Sequence, residues 1–161
     1  MSTLFRGLLA SAAGVSKQSK GAQLLERLEN STQLEDRREA LTEFNELSAA
    51  EPVRLIEKGM AVLVQLLREE DTQLTRDVLE TLSNLMDPEM PRDVPAETGE
   101  IKAMHNASAF LSSDGHLLEV LNSSEDNDLY VRFHAVQLVM KLLMRARRQT
   151  QEHVLNQPAT V

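Results

Sequence analysis

Four histidines, at positions 105, 116, 134 and 153, are the side chains of this chain best suited to proton transfer or metal binding. A zinc site needs three or four ligands at short, regular spacing, such as two histidines one helical turn apart. None of the four stands in a His-x-x-x-His pair, so His134 reads as a packing or surface residue. The acidic run Glu125-Asp126-Asn127-Asp128 lacks the twelve-residue calcium-loop spacing and its central glycine. Capping of the helix that follows explains it better. There is no cysteine for thiolate chemistry, no Gly-x-Ser-x-Gly turn for a nucleophilic serine, and no glycine-rich phosphate loop. These residues predict neither an enzyme nor a resident cofactor or metal.

The formal net charge is −8 over 161 residues. A surface of that sign repels the phosphate backbone, whose neutralisation supplies most nucleic-acid affinity. Lys141, Arg145, Arg147 and Arg148 form the one basic concentration, and cations near a helix C-terminus account for it. No run of 18 apolar residues is present to span a bilayer. Absence of cysteine fits a reducing compartment. The sequons at Asn30, Asn106 and Asn122 carry no information without a secretory signal.

The elements that would position any binding side chains repeat along the chain. Gly59 to Leu85 reads as an apolar helix, an acidic turn and a second helix. Counting back 38 positions, Ala40, Leu41, Phe44 and Leu47 occupy the places of Val78, Leu79, Leu82 and Leu85; counting forward 57, Ala135, Val136, Val139 and Leu142 do so. A helical unit recurring at roughly 40 residues predicts a stack in which each unit buries the apolar face of its neighbour. The expected fold is all-α, an armadillo/HEAT-like right-handed superhelix of about three repeats.

Residues 1–21 form an N-terminal segment in which Leu4, Phe5, Leu8, Leu9 and Ala12 would line one apolar face of a short helix. Its expected roles are docking on the first repeat, a tail, weak membrane contact or organelle targeting. Residues 22–155 carry the repeats, and 156–161 read as a truncated tail. Gly59 is expected to mark a bend, and Asp71 or Thr72 to cap the helix to Leu85. Pro88, Pro91 and Pro95 predict that 87–109 is a flexible insert. After the helix expected over 129–148, the polar stretch from Gln149 predicts no closing helix.

The pattern Gly59, Leu63-Val64, Leu66-Leu67, Asp71, Leu74, Val78-Leu79, Leu82-Ser83-Asn84-Leu85 resembles an armadillo repeat. Around it stand Leu4-Phe5-Arg6-Gly7, then Leu34-Glu35-Asp36-Arg37-Arg38-Glu39-Ala40-Leu41, and later Leu129-Tyr130-Val131-Arg132-Phe133-His134-Ala135-Val136-Gln137-Leu138. Taken together these resemble the start of the globular head of the general vesicular transport factor family, the Uso-type tethers. The resemblance implies a cytoplasmic protein, peripheral on Golgi and transport-vesicle membranes, that tethers vesicles in ER-to-Golgi and intra-Golgi transport. It implies Rab-type GTPases, SNAREs and golgins as partners, and homodimerisation of a full-length member through a coiled coil. The family's heptads and acidic tail are missing here, so the chain reads as a fragment with more chain expected to follow.

By geometry alone, Arg38, Glu39, Glu43, Arg76, Glu80 and Lys141 are candidate partner-binding residues on the second helices of the units. Asn84 belongs with them because peptide-binding armadillo proteins grip a peptide backbone with such an asparagine. Its equivalents by the offsets are Glu46 and Lys141, which breaks the ladder. Two other readings accompany the tether: a cytosolic adaptor for linear peptides, as in nuclear import, and an organelle-targeted helical protein.

Overall fold

The structure is a computed structural model and describes residues 19–156. Among the described residues it is all-helical, with α1 (Lys20–Asn30), α2 (Leu34–Leu47), α3 (Val53–Leu66), α4 (Thr72–Leu85), α5 (Ala96–Ser112), α6 (His116–Ser123), α7 (Leu129–Arg145) and α8 (Arg147–Leu155). The residues before 19 and after 156, with the apolar spacing at Leu4 to Ala12, lie outside the described part.

Several helices begin where side-chain chemistry favours it. Asp71 Oδ1 accepts from the Leu74 amide at 2.8 Å, and Asp128 Oδ1 from the Val131 amide at 3.0 Å, satisfying first-turn donors that have no partner within the helix. Ser19 caps α1 in the same way. Pro52 and Pro95 stand immediately before α3 and α5, where a missing N–H costs nothing. Gly115 enters α6 at φ 86°, a left-handed conformation that a Cβ disfavours. Helix α2 starts differently: Gln33 stands at its N-cap without a side-chain bond.

Helix α2 packs on α4, and α4 on α7; beside them α1 packs on α3, and α3 on α5 and α6. One continuous core joins Leu24, Leu28, Leu41, Phe44, Leu63, Val78, Leu82, Phe110, Val120, Ala135 and Leu142, all essentially buried. It is mostly leucine, valine, methionine and alanine, as the 3% aromatic content requires. Gly59 is not a bend. It lies in the middle of unbroken α3, and a Cβ there would stand 2.6 Å from Phe44 Cζ. The glycine is a place of close approach rather than a break.

The expected loop over 87–109 is corrected across its second half. Residues 96–112 form α5, whose buried face is Gly99, Ala103, Asn106, Ala107, Phe110 and Leu111. The prolines stop at its N-terminus, and its small buried residues hide the helical period. The chain also continues past α7. Ala146, at φ −144° and ψ 58°, breaks the helix and α8 follows with Thr150 buried, so the expectations of one helix to 148 and of no closing helix both fail.

Candidate functional site

The surface with the greatest density of functional side chains is the outer side of α2, α4 and α7. Its charges are arranged by the stacking of the helices. Arg38 Nε on α2 donates to Asp77 Oδ2 on α4 at 2.8 Å. One step along, Arg76 Nε on α4 donates to Asp128 Oδ1 at the start of α7 at 3.0 Å, and its guanidinium lies 4.8 Å from the Tyr130 ring centre. A second line runs beside the first: Arg37 pairs with Glu69 in the turn after α3, and Arg68 in that turn with Glu119 on α6 at 3.0 Å. Each unit therefore holds the next by arginine–carboxylate bonds, which are stronger than neutral hydrogen bonds.

Asp128 does double duty. The Arg76 guanidinium, and then the Val131 amide, hold its carboxyl down to about 2. The same charge lies at the positive N-terminal end of α7. Asp36 is likewise held below the ordinary carboxylate range, chiefly by the bond from Arg27.

Cations finish helix C-termini across the structure. Lys102 Nζ on α5 donates to the carbonyls of Ser48 at 2.9 Å and Glu51 at 3.0 Å, and also to that of Ala49, just beyond the end of α2. Burial pushes its ammonium below its ordinary value, partly opposed by Glu51. Lys141 donates to Ser83 O at 3.3 Å and Arg145 to Met86 O at 3.2 Å, at the end of α4. Two of the four residues of the basic concentration thus serve the C-terminus of a neighbouring helix, while Arg147 and Arg148 are exposed on α8. Asn106, 1% exposed, donates to Leu85 O at 2.9 Å. A sequon asparagine in that position has no room for a glycan.

The structure does not bring the seven candidate residues together. Arg38 and Glu80 line one open groove with Glu35, Asp77 and Thr81, and Glu39 lies on its rim. Glu39 and Glu43 also turn toward Arg27 on α1, at 3.4 and 3.5 Å. Arg76 and Lys141 belong to the α4–α7 contact. Asn84 Nδ2 donates to Asn45 Oδ1 at 3.2 Å, leaving its second N–H and its Oδ1 without a protein partner among the described residues. Asp77, Asp128, Asn45 and Lys102 were not legible as partners, because spacing places residues on a helix face without saying which helix lies opposite.

Among the described residues no group of three His, Asp or Glu side chains converges to hold a metal, and no helix is long and apolar enough to cross a membrane. Burial pushes the His116 imidazole below its ordinary value, with its ring 5.1 Å from that of Phe110. That is a packing position.

No protein-family model matches the chain. Its sequence is 31% identical over 141 residues, 84% of its length, to a protein of Arabidopsis thaliana described as Golgin candidate 6. The chain is similar to a golgin candidate. It spans 15% of that relative's length, and the similarity embraces most of the helices described above.

The similarity leaves one surface unexplained. Leu129, Phe133, Val136, Met140 and Met144 form an exposed apolar stripe along α7, between 48 and 75% exposed. Val136 stands in the place of Leu79, which is 0% exposed on α4, a helix that packs on α7. The expectation that Val136 is core is thereby corrected.

Proposed function

We propose that this chain is a non-catalytic helical scaffold from the head of a Golgi vesicle tether, of the Uso type. The observation that carries the reading is the similarity to a golgin candidate over 84% of the chain. The serial packing of α2, α4 and α7, with α1, α3 and the α5–α6 pair beside them, supports an armadillo/HEAT-like superhelix. Such a stack offers an extended protein-binding surface rather than a catalytic cleft, and the charged groove between α2 and α4 is where a partner's basic residues would first be drawn. On this reading the partners are proteins of the traffic machinery, namely a Rab-type GTPase, SNAREs and golgins. The chain itself is cytoplasmic and peripheral on Golgi and vesicle membranes.

The broken asparagine ladder, with Glu46 and Lys141 at the places equivalent to Asn84, counts against the peptide-groove adaptor. The tether reading is tested by expressing the chain with a fluorescent tag and scoring its overlap with a Golgi marker, together with its sedimentation on Golgi-enriched membranes. Enrichment on those membranes is expected. A uniformly diffuse signal with no sedimentation would overturn the reading.

A further inference from the structure

We propose that the exposed stripe of α7 pairs with the same stripe of a second copy, the two helices running antiparallel. The register of α4 and α7 points to this pairing whether or not the chain comes from a Golgi tether. On α4, the side turned to α7 carries Arg76, Leu79 and Ser83, with the exposed Thr72 at its start. Moved forward by the 57-residue offset, those places hold Leu129, Phe133, Val136 and Met140. On α4 this side supplies the Arg76 guanidinium to Asp128 and the Ser83 backbone carbonyl to Lys141; on α7 it has become wholly apolar and is exposed among the described residues.

The stripe is also self-complementary. Laid antiparallel about the point midway between Val136 and Gln137, Leu129 meets Met144, Phe133 meets Met140, and Val136 lies within one residue of its own copy. The flanks match in charge. Glu125 and Asp126, exposed before α7, come opposite the exposed Arg148 and Arg147 beyond its far end. The like-charged pair in this register, Arg132 with Lys141, is relieved because Lys141 is turned to Ser83 O on α4. A two-fold contact requires this self-complementarity, since each residue must suit its counterpart in both directions.

Helix α7 carries no acidic residue, so a parallel pairing would set Arg132 and the C-terminal arginines beside their own copies. Five half-exposed side chains of this size contribute roughly 500 Å² per copy. Two copies then bury on the order of 1,000 Å², the lower bound for a specific interface, which points to a dimer that dissociates on dilution.

Sedimentation equilibrium of the whole chain over micromolar to 100 µM concentrations is expected to show a monomer–dimer equilibrium. Phe133→Glu with Met140→Glu should abolish it, and circular dichroism should stay unchanged because both side chains are already in water. Arg147→Glu with Arg148→Glu should weaken dimerisation about tenfold, and adding Glu125→Arg and Asp126→Arg should restore it. The chain has no cysteine, so single introduced thiols report the register. Val136→Cys should cross-link to itself, whereas Leu129→Cys should cross-link only when mixed with Met144→Cys. A chain monomeric throughout would overturn the proposal and leave the stripe to a following helical unit or another protein. So would a dimer indifferent to Phe133→Glu and Met140→Glu, or Leu129→Cys linking to itself.

Discussion

The contact between Gly59 and Phe44 gives a sharp test of how this core is assembled. Replacing Gly59 with alanine should help α3 by about 1 kcal/mol, since glycine is that much poorer than alanine inside a helix. The new methyl carbon would, however, stand 2.6 Å from Phe44 Cζ and 3.4 Å from Leu25 Cδ2, where carbon atoms prefer about 3.5–4.0 Å. Neither neighbour can retreat into solvent, because Phe44 is 0% and Leu25 1% exposed. Overpacking of this kind costs about 1–3 kcal/mol. The net expectation is a loss of about 1 kcal/mol, which in a chain of this length lowers Tm by roughly 3 °C. Phe44→Leu removes the clashing ring edge at the expense of a cavity. The pair should therefore be non-additive, with Gly59→Ala favourable in the Phe44→Leu background and a coupling of about 1–2 kcal/mol. Urea unfolding of the four proteins, followed by far-ultraviolet circular dichroism, measures this directly. If Gly59→Ala stabilises the parent by the full helix-propensity gain, or the cycle closes additively, the close-approach account is refuted.

Asn106→Ala leaves the Leu85 carbonyl buried without its donor and is expected to cost about 1–3 kcal/mol in the same urea assay; an unchanged midpoint would contradict the assignment. Lys102→Met strips a charged donor from three carbonyls at the end of α2, and a loss of about 2 kcal/mol is expected, with faster amide exchange in the last turn of α2. Asp128 has a folded pKa depressed to about 2, so its contribution is present above its ordinary value near 4. It is lost as pH falls from about 4 to about 2. Asp128→Asn, which keeps the cap but not the charge, should flatten stability across that window when urea midpoints are compared between pH 6 and 2.

Much of the fold was legible because its long helices wear their period openly. In α4, Leu74, Val78, Leu82 and Leu85 fall on one side and Asp71 announces the start, so both the helix and its cap could be read. Helix α5 was not, since its buried side carries Gly99, Ala103, Asn106 and Ala107, which look like loop residues until Phe110 and Leu111. The signal that marks it is Pro95 followed by Ala96-Glu97, a favourable helix start. Helix α8 buries only Thr150 fully and leaves almost no apolar trace. The candidate site was legible in part: Arg38 and Glu80 do share a groove, but ion pairing between helices separated by 39 or 52 positions has no local signature. Val136 looks like core because its counterpart is core, yet among the described residues no helix covers it.

The cations at the ends of α2 and α4 bear on the order in which the protein can be made. Helix α2 is complete by Leu47, yet the ammonium that satisfies the carbonyls beyond it belongs to residue 102. The end of α4 waits in the same way for Asn106, Lys141 and Arg145. During synthesis each helix therefore emerges with its trailing carbonyls open to water and is finished only when a later helix folds back on it. Unravelling from the C-terminus would reopen these ends in reverse, so neighbouring units gain and lose their structure together rather than singly.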